Sequence, residues 1–156
     1  MSEEPAINTE ERILKSSRVV AIVGLSSDSS KPSNIVACYL KGRGYRIVPV
    51  NPREEQILGE KSYPSLAAIP DPVDVVDIFR RPDEVTGIVE EAINIGAKVV
   101  WMQEGVVNEA AAARARGAGI EVVMDKCMRK EHQRMLGEEP STPGVCELPK
   151  DDKHGS

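Results

Sequence analysis

The fold of this chain is decided by the stretch VVAIVGLSSDSSKPSN, residues 19–34. Its first five residues are apolar, mostly β-branched and uninterrupted, which is typical of a central parallel strand covered on both faces. Gly24 then permits a sharp exit, and a helix beginning at Pro32 or Ser33 points unpaired backbone N–H groups at the loop. Proline suits that first turn because its missing N–H would be unpaired anyway. Strand, polar loop and helix start together predict an anion-binding cradle.

Length and composition favour one compact α/β domain. The chain has 156 residues, of which 40 % are hydrophobic but only 3 % aromatic. A chain of this size buries about 68–70 % of its unfolded surface, so it can form a stable core without disulfides or structural metal ions. The formal net charge is −5, whereas a protein that binds nucleic acid usually carries a basic surface. No apolar run approaches the length of about 18 residues that would indicate a membrane span.

The cysteines and the N-terminus indicate a reducing, cytoplasmic setting. The three cysteines, at positions 38, 127 and 146, are an odd number without a CxxC pair, so we expect neither a disulfide framework nor a zinc site. His132 and His154 have no third candidate ligand near them, so we expect no metal site. The acidic N-terminus lacks the apolar segment of a signal peptide.

Strands and helices alternate along residues 8–136. This alternation predicts right-handed crossovers and a Rossmann-like doubly wound parallel sheet of about five strands, with helices on both faces. We expect residues 1–7 to be flexible and the proline-rich, charged residues 137–156 to be disordered. Predicted strands cover residues 19–23, 46–50, 74–79, 98–101 and 120–123.

The loops after these five strands are expected to meet at one edge of the sheet. Doubly wound folds bind ligands at the carboxyl ends of their strands, at the switch point beside the first strand. Each loop taken alone also has the polar composition of an ordinary structural loop. The five loops are residues 24–26, 51–53, 79–81, 102–105 and 125–127.

The cradle departs from the dinucleotide-binding fingerprint. That fingerprint requires three glycines and an acidic residue at the end of the second strand, which binds the ribose diol. This loop has one glycine, and the second strand ends in Asn51-Pro52-Arg53, where the arginine can meet an additional phosphate. The pattern argues against NAD and leaves NADP or another phosphorylated ribose.

Short motifs follow one another along the chain in the order Gly24-x-Ser26, Lys31-Pro32-Ser33, Asn51-Pro52, Gly59, Tyr63, Leu66, Phe79-Arg80-Arg81-Pro82, Trp101-Met102-Gln103-x-Gly105-Val106 and Asp125-x-Cys127. Together they resemble the stand-alone CoA-binding domain proteins, a family similar to the CoA-binding domain of the succinyl-CoA synthetase α subunit. The resemblance covers roughly residues 10–136. It implies a Rossmann-like domain that binds coenzyme A, with no established reaction for most members. The synthetase's phosphohistidine lies in a second domain that this chain is not expected to contain, so ligase chemistry does not follow.

The resemblance also implies where each part of coenzyme A lies. It places the pyrophosphate on Gly24, Ser26, Ser27 and the helix start Lys31-Pro32-Ser33. It places the adenosine against Asn51, Pro52 and Arg53, and Arg53 is our own candidate for contact with the 3′-phosphate. Phe79 and Arg80 would flank the nucleotide or the pantetheine arm, while Gln103 and Gly105 would line the neighbouring strand end.

Cys127 carries the catalytic alternative. With Asp125 as a helix cap, Cys127 lies in the first turn of the last helix, where the dipole favours a thiolate. A thiolate at Cys127 would allow a mixed disulfide with CoA or an acyl transfer. The other interpretation is that Cys127 is a small, buried apolar residue of the core. His132 does not complete a catalytic pair, since five residues along a helix place it about 140° around the axis. We expect Asp77 to be a polar strand residue satisfied by the loops.

The sequence therefore predicts a small cytoplasmic protein that binds coenzyme A or an acyl-CoA as a carrier, sensor or regulatory module. The alternative is a small enzyme, either an NADP-dependent reductase or an acyl-transfer enzyme that uses Cys127. No Tyr-Lys or His-Asp pair for hydride transfer is evident, which counts against the reductase. A scaffold that binds a protein partner, and a homodimer, both remain open.

Overall fold

The structure, a computed structural model, describes residues 8–138 as alternating strands and helices. Predictions for residues 1–7 and 139–156 lie outside this range. The elements are α1 (Thr9–Ser16), β1 (Val19–Val23), α2 (Pro32–Gly42), β2 (Arg46–Val50), β3 (Gln56–Ile57), β4 (Glu60–Lys61), a 3-10 turn (Leu66–Ala68), β5 (Val75–Ile78), a second 3-10 turn (Pro82–Glu84), α3 (Val85–Asn94), β6 (Val99–Met102), α4 (Glu109–Gly117), β7 (Glu121–Val123) and α5 (Met128–Met135).

Five of the strands form one parallel sheet in the order β2-β1-β5-β6-β7. In its middle, Ile22 on β1 lies between Pro49 on β2 and Asp77 on β5. Strand β2 is at the edge, which suits Pro49 because proline cannot donate a ladder hydrogen bond. After β1 the chain turns to β2 on one side and later to β5 on the other. The switch point of the sheet therefore lies beside the end of β1.

Helices cover both faces of this sheet. On one face α1, α2 and α5 contribute the buried Leu14, Leu40 and Met128. On the other face α3 and α4 contribute the buried Val89 and Ala112. Because both faces are covered, the inner strands need continuous apolar runs, as β1 has. The predicted Rossmann-like doubly wound α/β fold is confirmed.

The last helix starts differently from the prediction that Asp125 caps it. Helix α5 begins at Met128, and Cys127 is its N-cap residue. Asp125 instead adopts a left-handed backbone with φ 60°, and its Oδ1 accepts a hydrogen bond from the Gly105 N–H at 2.7 Å. N-cap residues have extended backbones, whereas Asp125 lies in the turn after β7. The prediction that Asp125 caps the last helix is therefore wrong.

The cysteines also differ from expectation. Cys38 is disulfide-bonded, whereas Cys127 is free and buried. The expectation of no disulfide framework did not foresee the bond at Cys38, because an odd number of cysteines without a CxxC pair does not exclude a single disulfide. The cytoplasmic setting, which was inferred partly from the cysteine pattern, stays a prediction.

Asp77 lies in the centre of the sheet and is fully buried. Neither of its carboxyl oxygens has a hydrogen-bond partner among the described residues. Burial raises the pKa of Asp77 well above its usual range, because a charged carboxylate would lose its hydration there. The prediction that loops satisfy Asp77 is wrong, since its neighbours across the ladder are Ile22 and Trp101.

Candidate functional site

Two adjoining clefts open at the carboxyl edge of the sheet, one over each face. The first cleft, of about 870 Å³, includes Val36 and Cys127 from the face covered by α2 and α5. The second cleft, of about 470 Å³, includes Leu66 and Val50 from the face covered by α3. The two clefts share three residues, Gly24, Ser26 and Arg80. They therefore form one groove that passes over the end of β1, at the switch point.

All the site residues predicted from the sequence line one of these clefts. The first cleft includes Gly24, Ser26, Lys31, Pro32, Ser33, Phe79, Arg80, Gln103, Gly105 and Cys127. The second adds Ser27, Asn51, Pro52 and Arg53. These residues are distant in the sequence and meet because each follows a neighbouring parallel strand. Their contact with a ligand stays a prediction.

Gly24 is the point where the two clefts join. It has φ +86°, and a Cβ atom there would lie 2.4 Å from the Phe79 carbonyl oxygen and 2.8 Å from Arg80 Cδ. Its N–H donates to the Val50 carbonyl at 3.0 Å, which fixes it against the end of β2. Only glycine therefore lets the loops after β1 and β5 approach each other and leaves backbone open to a ligand.

The loop after β1 is held in place by its own polar side chains. Ser33 Oγ accepts from the Ser26 N–H at 3.0 Å, and Asn34 Nδ2 donates to the Ser26 carbonyl at 2.8 Å. Asp28 Oδ1 accepts from the hydroxyl and the N–H of Ser30, and these bonds lower the pKa of Asp28 because they favour the carboxylate. The loop is thus held in one conformation by its own hydrogen bonds.

The start of α2 faces the first cleft without a side-chain cap. Lys31 is the N-cap residue, makes no capping hydrogen bond, and is followed by Pro32. The unpaired N–H groups of the first turn and the positive end of the helix dipole attract an anion. Lys31 also lines this cleft, and within residues 8–138 its ammonium has no ion-pair partner. This corner of the groove carries the positive charge that the cradle predicts.

Asn51 fixes the end of β2 with its side-chain amide. Its Nδ2 donates to the Leu25 carbonyl at 2.9 Å, and its Oδ1 accepts from the Arg53 N–H at 2.8 Å. The amide is occupied by these two bonds, so Asn51 positions the loops. Arg53 itself is exposed, and its guanidinium forms no ion pair with any described residue.

Two carboxylates in the second cleft reduce its positive charge. Glu54 Oε2 accepts from the Ser27 hydroxyl at 3.1 Å, and Glu91 Oε1 accepts from the Leu66 N–H at 3.1 Å. Both line the cleft with Arg53. An anion in this cleft must contact Arg53 and keep away from both carboxylates. Sequence reasoning missed them, although Glu54 directly follows the Asn-Pro-Arg motif.

Arg80 lines both clefts and is paired with Glu84. Its Nη2 lies 2.5 Å from Glu84 Oε1, and the other carboxylate oxygen of Glu84 lies 3.3 Å from Arg81 Nε. The hydrogen bond from Arg80 is the main reason why the pKa of Glu84 is lowered. Sequence reasoning missed Glu84, although a carboxylate four residues after an arginine is a spacing that permits a pair.

The far wall of the first cleft comes from the loops after β6 and β7. Gln103 Oε1 accepts from the Met128 N–H at 3.2 Å, and Trp101 Nε1 donates to the Lys126 carbonyl at 2.8 Å. These bonds fix Cys127, which is 6 % exposed, in the wall. The side-chain NH₂ of Gln103 donates to no described residue, so it is available to a ligand.

His132 is engaged away from Cys127. Its Nδ1 lies 2.8 Å from the Tyr39 hydroxyl, and its ring packs edge-on against the rings of Tyr39 and Tyr45. Burial, assisted by the charge of Arg43, lowers the pKa of His132. A Cys-His pair, which nucleophilic catalysis at Cys127 would use, is therefore not formed with His132.

Two other features are absent from residues 8–138. No group of three or more His, Cys, Asp or Glu side chains is placed so as to hold a metal ion. No helix in the same part of the chain combines the length and apolar character needed to cross a membrane.

Comparison with known proteins finds the same domain over most of the chain. A model of the CoA binding domain family matches residues 18–133. The YneT protein of Bacillus subtilis is 37 % identical over 130 residues, which are 83 % of this chain and 96 % of YneT. The solved structure of a hypothetical protein from Pyrococcus horikoshii OT3 has a TM-score of 0.80 and 43 % identity, and the match covers 88 % of this chain and 100 % of that chain.

A similarity to a longer enzyme covers only part of that enzyme. The ADP-forming acetate–CoA ligase II of Archaeoglobus fulgidus is 33 % identical over 129 residues. These residues are 81 % of this chain but 18 % of the ligase. The chain is therefore similar to one segment of the ligase.

Proposed function

Since the chain belongs to the CoA binding domain family, we propose that it binds coenzyme A or an acyl-CoA as a carrier, sensor or regulatory module. The observation that carries this proposal is the continuous groove over Gly24, with the uncapped start of α2 lining its first cleft. Such a groove suits a ligand with a diphosphate in its middle and chemically different ends. Coenzyme A is such a ligand.

In the proposed complex, each half of coenzyme A occupies one cleft. The adenosine lies in the second cleft against Asn51 and Pro52, with the 3′-phosphate on Arg53. The diphosphate lies at the junction, and the pantetheine arm lies in the first cleft. The diphosphate is contacted by the three shared residues, Gly24, Ser26 and Arg80, by Ser27 from the second cleft, and by Lys31, Pro32 and Ser33 from the first cleft.

The walls of the first cleft support this orientation. Phe79, Val36 and Val106 present apolar groups along it, and they suit the methyl groups and methylenes of the pantetheine arm. The free NH₂ of Gln103 and the backbone beside Gly105 can pair with the amides of that arm. A charged nicotinamide ring would gain less from such walls, which favours coenzyme A over NADP.

One observation supports a binding role over acyl transfer through Cys127. His132, the histidine nearest to Cys127 along the chain, forms a hydrogen bond with the Tyr39 hydroxyl. It therefore does not pair with Cys127. Cys127 nevertheless lines the first cleft, and this single observation keeps acyl transfer through Cys127 as the second candidate.

Calorimetry tests the proposal by comparing ligands that differ in one group. We expect CoA to bind more tightly than 3′-dephospho-CoA, NADP or NAD. Replacement Arg53→Ala should abolish the preference for the 3′-phosphate. Arg116→Ala removes an exposed arginine of α4 outside both clefts and should leave it unchanged. No binding of CoA at millimolar protein, or tighter binding of NADP, would overturn the proposal.

Mass spectrometry separates the carrier from the acyl-transfer enzyme. After incubation with an acyl-CoA, an acyl-transfer enzyme would carry the acyl group on Cys127 as a thioester. The proposed binding role predicts an unmodified Cys127 and intact acyl-CoA. A stable adduct that disappears in Cys127→Ser would instead favour the enzyme.

A further inference from the structure

Glu84 lies in the groove but belongs to none of the motifs that resemble the family. It is the last residue of the 3-10 turn after β5 and lines the first cleft together with Arg80. Its two carboxylate oxygens contact Arg80 Nη2 at 2.5 Å and Arg81 Nε at 3.3 Å. Glu84 therefore neutralises Arg80, the cation that both clefts share.

The Arg80–Glu84 pair lies beside the junction of the clefts. Arg80 Cδ is 2.8 Å from the position that a Cβ atom of Gly24 would occupy, so the arginine stem crosses the backbone of Gly24. Its guanidinium is directed to Glu84, which lines the first cleft. A ligand that runs from one cleft to the other must pass this pair.

We propose that Glu84 sets the affinity of the groove for the diphosphate by competing with it for the guanidinium of Arg80. This inference rests on the proposed function. On binding, the guanidinium of Arg80 pairs with the diphosphate instead of with Glu84. The carboxylate of Glu84 then becomes solvated. A guanidinium pairs with phosphate oxygens as readily as with a carboxylate, because both present two oxygens to its fork of N–H groups.

The exposure of the pair explains why this exchange is easy. The side chains of Arg80 and Glu84 are 46 % and 30 % exposed, and ion pairs exposed to water contribute little to stability. The diphosphate carries more charge and is also attracted by Lys31 and the start of α2. Glu84 thus weakens binding moderately and does not block it.

The test measures CoA affinity in Glu84→Gln, which keeps the shape of the side chain and removes its charge. We expect binding to become about two- to fivefold tighter, the range that removal of one exposed competing ion pair produces. The same gain is expected for 3′-dephospho-CoA, because that ligand keeps the diphosphate. A gain confined to CoA would assign the effect to the 3′-phosphate and overturn the inference.

Asp83→Asn is the matched control. Asp83 precedes Glu84, is 74 % exposed, and forms an ion pair with Arg81 at 3.5 Å. Its replacement removes the same charge from the same turn without freeing Arg80. An equal gain in Asp83→Asn would mean that Glu84 acts through the general field of the protein, which would overturn the inference.

A double-mutant cycle shows whether Glu84 acts through Arg80. In the background of Arg80→Ala, the change Glu84→Gln should have no effect on CoA affinity, because the contested guanidinium is absent. A gain that persists there contradicts the proposal, as does an unchanged or weaker affinity in Glu84→Gln alone. If the wild-type protein binds no CoA at all, the proposed function fails, and the inference fails with it.

Discussion

Asp125 accepts a hydrogen bond from the backbone N–H of Gly105 over 2.7 Å and so joins the loops that follow β7 and β6. Asp125 makes this contact from a left-handed backbone with φ 60°, which aspartate tolerates better than most residues. The bond fixes the segment before Cys127 against Gly105, another residue of the first cleft.

Asp125→Ala should lower the free energy of unfolding by about 1–2 kcal/mol, from the lost hydrogen bond and the unfavourable left-handed alanine. Asp125→Asn is the control, because asparagine keeps both an acceptor oxygen and the tolerance of this backbone. Urea denaturation measures both variants. Equal stability of the alanine variant and the wild type would show that the bond does not hold the loop.

Gly24→Ala should abolish CoA binding and destabilise the protein by about 2–4 kcal/mol, because the new Cβ meets the Phe79 carbonyl at 2.4 Å from a left-handed backbone. Gly44→Ala is the control. Gly44 has φ +98° but no atom within 4 Å of its virtual Cβ, so this variant has only the conformational cost and should keep CoA affinity. Thermal unfolding and calorimetry distinguish the two effects. Normal CoA binding by Gly24→Ala would contradict the steric role assigned to this position.

Asp77 should make the protein less stable as the pH rises. Burial raises its folded-state pKa well above the value of 3.8 that it has when exposed. Above that value the unfolded chain ionises Asp77 while the folded protein keeps its proton, so stability falls by up to about 1.4 kcal/mol per pH unit until the folded-state pKa is reached. Asp77→Asn has no such proton, so its free energy of unfolding should rise relative to that of the wild type as the pH rises. A constant difference between the two would show that Asp77 is ionised when folded.

Asp74, three residues earlier, should show the opposite sign. Burial alone would raise its pKa, but the N–H groups of Val19 and Arg18 and the charge of Lys98 lower it. Stability from Asp74 is therefore present above its exposed value of 3.8 and is lost as the pH falls through its folded-state pKa. Asp74→Asn should lose stability at neutral pH and approach the wild type in acid. Chemical denaturation at a series of pH values measures both aspartates.

His132 should make the protein less stable in mild acid. Its folded-state pKa lies below the exposed value of 6.5, chiefly because of burial. As the pH falls below 6.5 the unfolded chain takes up a proton that the folded protein resists, so stability falls. His132→Phe keeps an aromatic ring and should show a flatter profile between about pH 7 and 5. An identical slope in this variant would assign the acid sensitivity to other groups.

Local features of the chain could be predicted from its residues. The limits of β1 and the start of α2 at Pro32 agree with the predictions, and α4 likewise begins at a local signal, the side-chain cap formed by Asn108. Each depends on interactions within a few neighbouring residues, such as a side-chain cap or an apolar run between turn residues. The cradle is of this kind, since strand, loop and helix start are contiguous.

The roles of single polar side chains could not be predicted in the same way. Asn51 bonds the loop after another strand, Asp125 bonds Gly105 from 20 residues away, and Asp77 is buried between Ile22 and Trp101 of the neighbouring strands. Whether a polar group faces a ligand, a loop or an apolar wall depends on atoms that the strand order β2-β1-β5-β6-β7 brings together. Short-range pattern thus determines the elements and the cradle, whereas the division of the groove into two clefts over Gly24 arises only when distant strands pair.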